Sequence, residues 1–175
     1  MTSFPDHPFW DFSLKVYGSE GVAPACLKLQ ETHGIDVNFL LFCGWLGVSG
    51  RGVATQSEVA QMSASVSAWH GEIVRGLRAM RKRLKEPLGA EDRDLALTLR
   101  KRVQKAEIDA EHIEQLMLAA AADGLPERKP GDRAESARAN ANTYVALIKA
   151  RLDEGDRVAL ETIIAAAVGS PPDRD

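Results

Sequence analysis

The sequence predicts an all-α fold: a helical bundle built on one long antiparallel hairpin. Two stretches, about 56–86 and 90–122, repeat apolar residues at spacings of three and four, the period of a single helix face. Only a short Pro87-Leu88-Gly89 connection separates them, so they must fold back on one another. No stretch alternates apolar and polar residues in the manner of a half-buried strand.

The elements follow in order. Pro8 suits the first turn of a helix from about Phe9 to Tyr17, and Gly18 ends it. Phe9, Phe12, Leu14 and Val16 spread apolar groups over much of its circumference, as in a piece wedged into a core. A second helix spans about Pro24 to His33 and stops at Gly34. Asp36 is placed to cap a third, Val37 to about Leu46, which is apolar almost all round and so buried on most sides. After a break at 48–52, Thr55 and Glu58 form a capping box that opens the first arm of the hairpin. Its stripe is Val59, Met62, Val66, Trp69, Ile73, Leu77, Met80 and Leu84. The second arm carries Leu99, Val103, Ala106, Ala110, Ile113, Met117 and Ala120. Asp132 and Glu135 open a helix expected to reach Leu152, with Ala137, Ala141, Tyr144, Ile148 and Leu152 on one face and Gly155 as its break. A last helix, about Asp156 to Val168, ends at Gly169. Residues 1–169 are expected to form a single helical domain, with 170–175 as a disordered tail.

A chain of 175 residues can bury about 70 % of its unfolded surface in one core. The start has no basic segment followed by an apolar one, so no secretory leader is expected. The longest apolar run, Phe39 to Val48, is about half of a membrane span, so none is predicted. Two cysteines in such a chain point to reduced thiols and a cytoplasmic location.

Charge is unevenly placed. Residues 75–105 hold eleven basic groups against four acidic ones, although the whole chain is at −3. Arg75, Arg78, Arg81, Lys82, Arg93 and Arg100 should gather at one end of the hairpin. Glu107, Asp109, Glu111 and Glu114 should gather at the other, making a charge dipole. A basic end of this kind suits an acidic macromolecular partner, and nucleic acid is not excluded. No aromatic residues are interleaved with the cations for base stacking, and a solvated helix face is the plain alternative. Stripes this long would also serve a homo-oligomer.

Large side chains are concentrated elsewhere. Residues 9–45 contain four of the five Phe, two of the three Trp and both Cys. Trp10, Tyr17, Trp45 and Trp69, among polar residues such as Ser13, Gln30, Asp36 and Asn38, could line a small-ligand pocket. Metal-ligating types occur at His33, Asp36, Cys43, His70, Asp109 and His112. Only Asp109–His112 has a ligand spacing, in one copy that flanks the apolar stripe, so no metal site is expected. Cys26 and Cys43 read as small core residues. No serine has a nucleophile-elbow context and no glycine run forms a phosphate loop. No catalytic residue and no cofactor are therefore assigned. The leading expectation is a non-enzymatic adaptor using the basic end or the aromatic surface. A small-ligand binding protein is the alternative, and an enzyme ranks last.

The pattern W-x-F-S-L-x-V-Y is carried by Trp10, Phe12, Ser13, Leu14, Val16 and Tyr17. It continues as G-V-x-x-x-C-L-x-L-Q-x-x-x-G-x-D-V-N-x-L-L-F-x-x-W from Gly21 through Cys26, Gln30, Asp36 and Asn38 to Trp45. Together they resemble a proteobacterial family known only as a domain of unknown function. The resemblance implies a bacterial cytoplasmic protein and carries no activity or catalytic residue with it.

Overall fold

A computed structural model of the chain describes residues 4–126, 128 and 131–170. Among them there is no strand, and eight α-helices follow one another: α1 (Pro8–Tyr17), α2 (Val22–His33), α3 (Val37–Val48), α4 (Gln56–Ala68), α5 (Arg75–Arg83), α6 (Arg93–Asp123), α7 (Arg133–Leu147) and α8 (Glu154–Val168). A π turn, Trp69–Val74, carries α4 into α5 without a break, so the two form one rod. The expected tail at 170–175 lies outside the described residues, apart from Ser170.

Local chemistry sets most boundaries. The Thr55–Glu58 capping box is formed in both directions, and Asp36 accepts from the Asn38 and Phe39 amides at the start of α3. Gly21 and Gly34 take positive φ at the two ends of α2. Three boundaries differ from expectation. The second hairpin arm begins at Arg93 because Asp92 caps it, accepting from the Asp94 and Leu95 amides. α7 stops at Leu147, five residues early. Lys149 turns to φ 56° there, and the Ala150 amide closes back on the Val145 carbonyl. Gly155 is no breaker: it lies in the first turn of α8, which opens on a reciprocal Asp153–Asp156 box.

α3 is the axis of the bundle. Every residue from Asn38 to Val48 is buried, with α7 along one side and α1, α6 and α8 around the others. Phe9, Phe39, Phe42 and Trp45 interlock by stacked, tilted and edge-on contacts at 5.3–5.9 Å. Gly47 lets α3 and α7 touch backbone to backbone, since a Cβ there would overlap Ala137. Asn140 ties in the loop after α3: it accepts from the Ala54 amide at 2.8 Å and donates to the Gly52 carbonyl at 3.0 Å.

The hairpin is antiparallel, pairing His70 with Glu114 and Arg81 with Glu107, but its seam is not the one expected. On α4 the stripe Val59, Met62, Val66 is buried as the spacing predicts. At the π turn the phase moves by one residue. Val74 is fully buried, whereas Ile73 and Met80 are 39 % and 54 % exposed. A π turn spends five residues per hydrogen-bonded step where the α-helix spends four, so every later side chain is rotated round the rod. On α6 the buried face is Glu107, Ala110, Glu114, Gln115 and Leu118, whereas Leu99 is exposed. α5 buries no residue of its own, so the upper half of the hairpin is held by polar side chains.

Candidate functional site

The phase change at the π turn points His70 and Arg78 inward, toward the carboxylates of α6. Arg78 donates from Nε to Glu107 at 3.0 Å, from Nη1 to Gln30 at 2.7 Å and from Nη2 to Glu111 at 2.7 Å. Arg81 donates to both oxygens of Glu107. Three elements, α2, α5 and α6, are thereby joined by one guanidinium pair. Burial pushes the Glu107 carboxyl up, but the hydrogen bonds from Arg81 and Arg78 outweigh it and hold the group below the usual glutamate range. At Glu111 burial wins over Arg78, and its pKa is raised.

Beneath this pair runs a second set. Ser13 donates to Gln115 Oε1 at 2.7 Å, Gln115 donates to Asn38 Oδ1 at 2.9 Å, and Asn38 donates to Glu114 Oε2 at 2.7 Å. The other oxygen of Glu114 lies 3.0 Å from His70 Nδ1, which is also 3.3 Å from Asp36 Oδ2. Asp36 itself receives the Asn38 and Phe39 amides on Oδ1 and gives its own amide to the Tyr144 hydroxyl at 3.0 Å. Burial and the neighbouring Glu114 raise the Asp36 carboxyl. Burial alone would lower His70, but Glu114 and Asp36 raise it above an ordinary imidazole.

Between α1, α2, α3, α5 and α6 lies a cavity of about 380 Å³. Trp10, Leu14, Tyr17, Leu27, Leu41 and Ile108 form its apolar wall. Arg78, Arg81, Lys82, Glu107 and Glu111 stand on its polar side, with Ser13, Gln30, Asn38 and Gln115. The two sets of candidate residues from the sequence thus meet here in part. Trp10 lines the cavity and stacks on His112 at 4.0 Å, and Tyr17 lines it too. Trp45 is instead core, with Arg51 over its ring at 4.3 Å. Trp69 sits in the π turn and donates its indole N–H to the Ala110 carbonyl at 2.9 Å.

Of the cations, Arg78, Arg81 and Lys82 face the cavity, Lys82 also reaching Glu31 at 3.3 Å. Arg93 donates to the Leu84 and Lys85 carbonyls that end α5. Arg100 is half-buried and Arg75 exposed. The charge dipole is corrected by the fold: antiparallel register sets Glu107 and Glu111 directly against Arg78 and Arg81 rather than at the far end. Sequence reasoning missed Glu107, Glu111, Glu114 and Gln115 as interior groups. Their spacing of 4, 3 and 1 does trace a helix face, but a polar face reads as solvated. His33 pairs with Asp156 at 2.7 Å, away from both sets.

A family model described as a protein of unknown function, DUF2390, matches residues 8–118. The chain belongs to this family. Neither a curated protein nor a solved structure matches it. The DUF2390 segment runs from the start of α1 to Leu118 on α6, and it contains the whole cavity lining together with Asp36, His70 and Glu114. α7 and α8 fall outside it. No helix among the described residues is long and apolar enough to cross a membrane.

Proposed function

We propose that this DUF2390 protein binds a small, largely apolar molecule carrying one anionic head in the cavity beside α1. The supporting observation is the cavity: its volume falls in the range of small-ligand sites, and its wall is apolar except on one side. On that side Arg78 is fully engaged by Glu107, Glu111 and Gln30, so it braces the wall. Arg81 gives Nε and Nη2 to Glu107, which leaves Nη1, with the exposed Lys82 ammonium, to meet an anionic head. Trp10 offers an aromatic face and Tyr17 a hydroxyl. The two buried free thiols, Cys26 and Cys43, suit a reducing bacterial cytoplasm as the place of action.

Native mass spectrometry and thermal melting with a panel of medium-chain fatty acids and aryl carboxylates test this. A retained ligand and a raised Tm are expected for the wild type, and neither for Leu27→Trp, which narrows the mouth at a side chain 47 % exposed. If no panel member shifts the wild type and no molecule copurifies, the reading is wrong.

The projecting hairpin end supports a second reading, an adaptor for an acidic protein. Met80, Leu88, Leu95 and Leu99 are each about half-exposed or more there, among cations that the interior pairs do not use. Reversing the exposed Arg75, Lys101 and Arg102 separates the two readings, because none of them lines the cavity. Loss of an acidic partner with ligand binding intact favours the adaptor.

A further inference from the structure

Asp36 Oδ2, His70 Nδ1 and Glu114 Oε1 converge on one interior point from three separate elements: the cap of α3, the π turn and α6. We propose that this point is a binding site for a first-row divalent cation held by one imidazole nitrogen and two carboxylate oxygens.

Geometry comes first. The imidazole nitrogen lies 3.0 and 3.3 Å from the two oxygens, and all three atoms are within 4.8 Å of one another. The two nitrogen–oxygen separations are spanned by metal bonds of about 2.1 Å meeting at about 90–105°, the angles of a tetrahedral or octahedral face.

The two carboxylates are also aimed. Asp36 is held through its other oxygen by the Asn38 and Phe39 amides, and Glu114 through its other oxygen by the Asn38 side-chain amide. Asn38 is held in turn by Gln115, and Gln115 by Ser13. One oxygen of each carboxylate is thus fixed by an outer partner and the second is presented to the same point. Outer partners orient the ligands of metal centres in this way.

Charge supplies the independent reason. Asp36 is 7 % exposed and Glu114 is fully buried. Two ionised carboxylates in such a place call for two positive charges, or else for a proton held between them, and one imidazolium supplies half of the charge. A divalent cation balances both and leaves His70 neutral, the form that ligates. Zinc, manganese and ferrous iron all accept this donor set. None of the three ligands lines the cavity, so the site stands whatever the cavity holds.

The test uses the full chain, stripped with chelator, then given zinc or manganese at one equivalent, desalted and measured for metal content. The wild type should retain one equivalent and melt higher than the stripped protein. His70→Gln and Glu114→Gln, checked for helix content by circular dichroism, should each bind more than about tenfold more weakly. X-ray absorption at the zinc edge of the wild type adds a readout that does not depend on the variants folding. One nitrogen with oxygens and no sulfur is expected. A wild type that retains no metal, variants that bind as it does, or sulfur in the zinc shell would each overturn the site. The first result would leave a proton-sharing cluster in its place.

Discussion

Gly47 is the residue on which the centre of the bundle is most exacting. Its missing side chain is what lets α3 lie against the backbone of α7, with the Ala137 nitrogen and Cα where a Cβ would go. Helix backbone on both sides cannot yield locally, so Gly47→Ala must push the two helices apart and open the contacts around Phe39 and Tyr144. A loss of about 3 kcal/mol is expected, measured as a lower urea midpoint, since overpacking of a tight core generally costs about 1–3 kcal/mol and this contact is backbone to backbone. Little of this was legible beforehand. In the sequence Gly47 is one of four glycines between 44 and 52, and only the crossing of two helices far apart in the chain distinguishes it. Asp36 was easier: a capping residue followed by an apolar run announces itself locally.

At the scale of elements, periodicity served well where the core is apolar and failed where it is not. The α4 stripe and the aromatic helices were readable because apolar side chains mark their own buried face. The rest of the hairpin was not, for two physical reasons. No residue type encodes a π turn, so the one-residue phase change at Trp69–Val74 leaves no local mark. A buried carboxylate on α6 looks like a solvent-facing one until its arginine is found 29 positions away. The rod is also less tightly optimised on its outer side. Gly76, in the first turn of α5 and inside the continuous rod, has nothing within 4 Å of where a Cβ would stand. Gly76→Ala should therefore stabilise the protein by about 0.5–1 kcal/mol, visible as a Tm rise of about 1–4 °C, because only the backbone entropy of the unfolded chain changes.

Across the whole molecule, acidity is a sharp probe of how the hairpin is held. Glu107 lies below the ordinary glutamate range in the folded protein. The stability it supplies is complete above the unfolded value, about 4.3, and is lost as pH falls through the lower folded value. Comparing wild type with Glu107→Gln isolates this group. The gap in stability should be about 3 kcal/mol and flat above about pH 5, then narrow as the solution is acidified. A gap that stays constant down to pH 3 would mean that Arg78 and Arg81 are satisfied without the charge. Such pairs also explain why counting charges along the chain misplaced them: the fold-back sets opposite charges face to face, which a linear tally reads as separate ends.

The same long axis has a bearing on how this family can vary. α3 is sheathed along one side by α7, yet the shared DUF2390 segment ends at residue 118, before α7 begins. A relative reduced to that segment would inherit the cavity and the buried carboxylates with the Gly47 flank of α3 laid bare. It would have to borrow a covering helix, from an unrelated C-terminal extension or from a neighbouring chain. Architectures in this family should therefore diverge first at the C-terminal sheath, while the cavity-lining half stays the common inheritance.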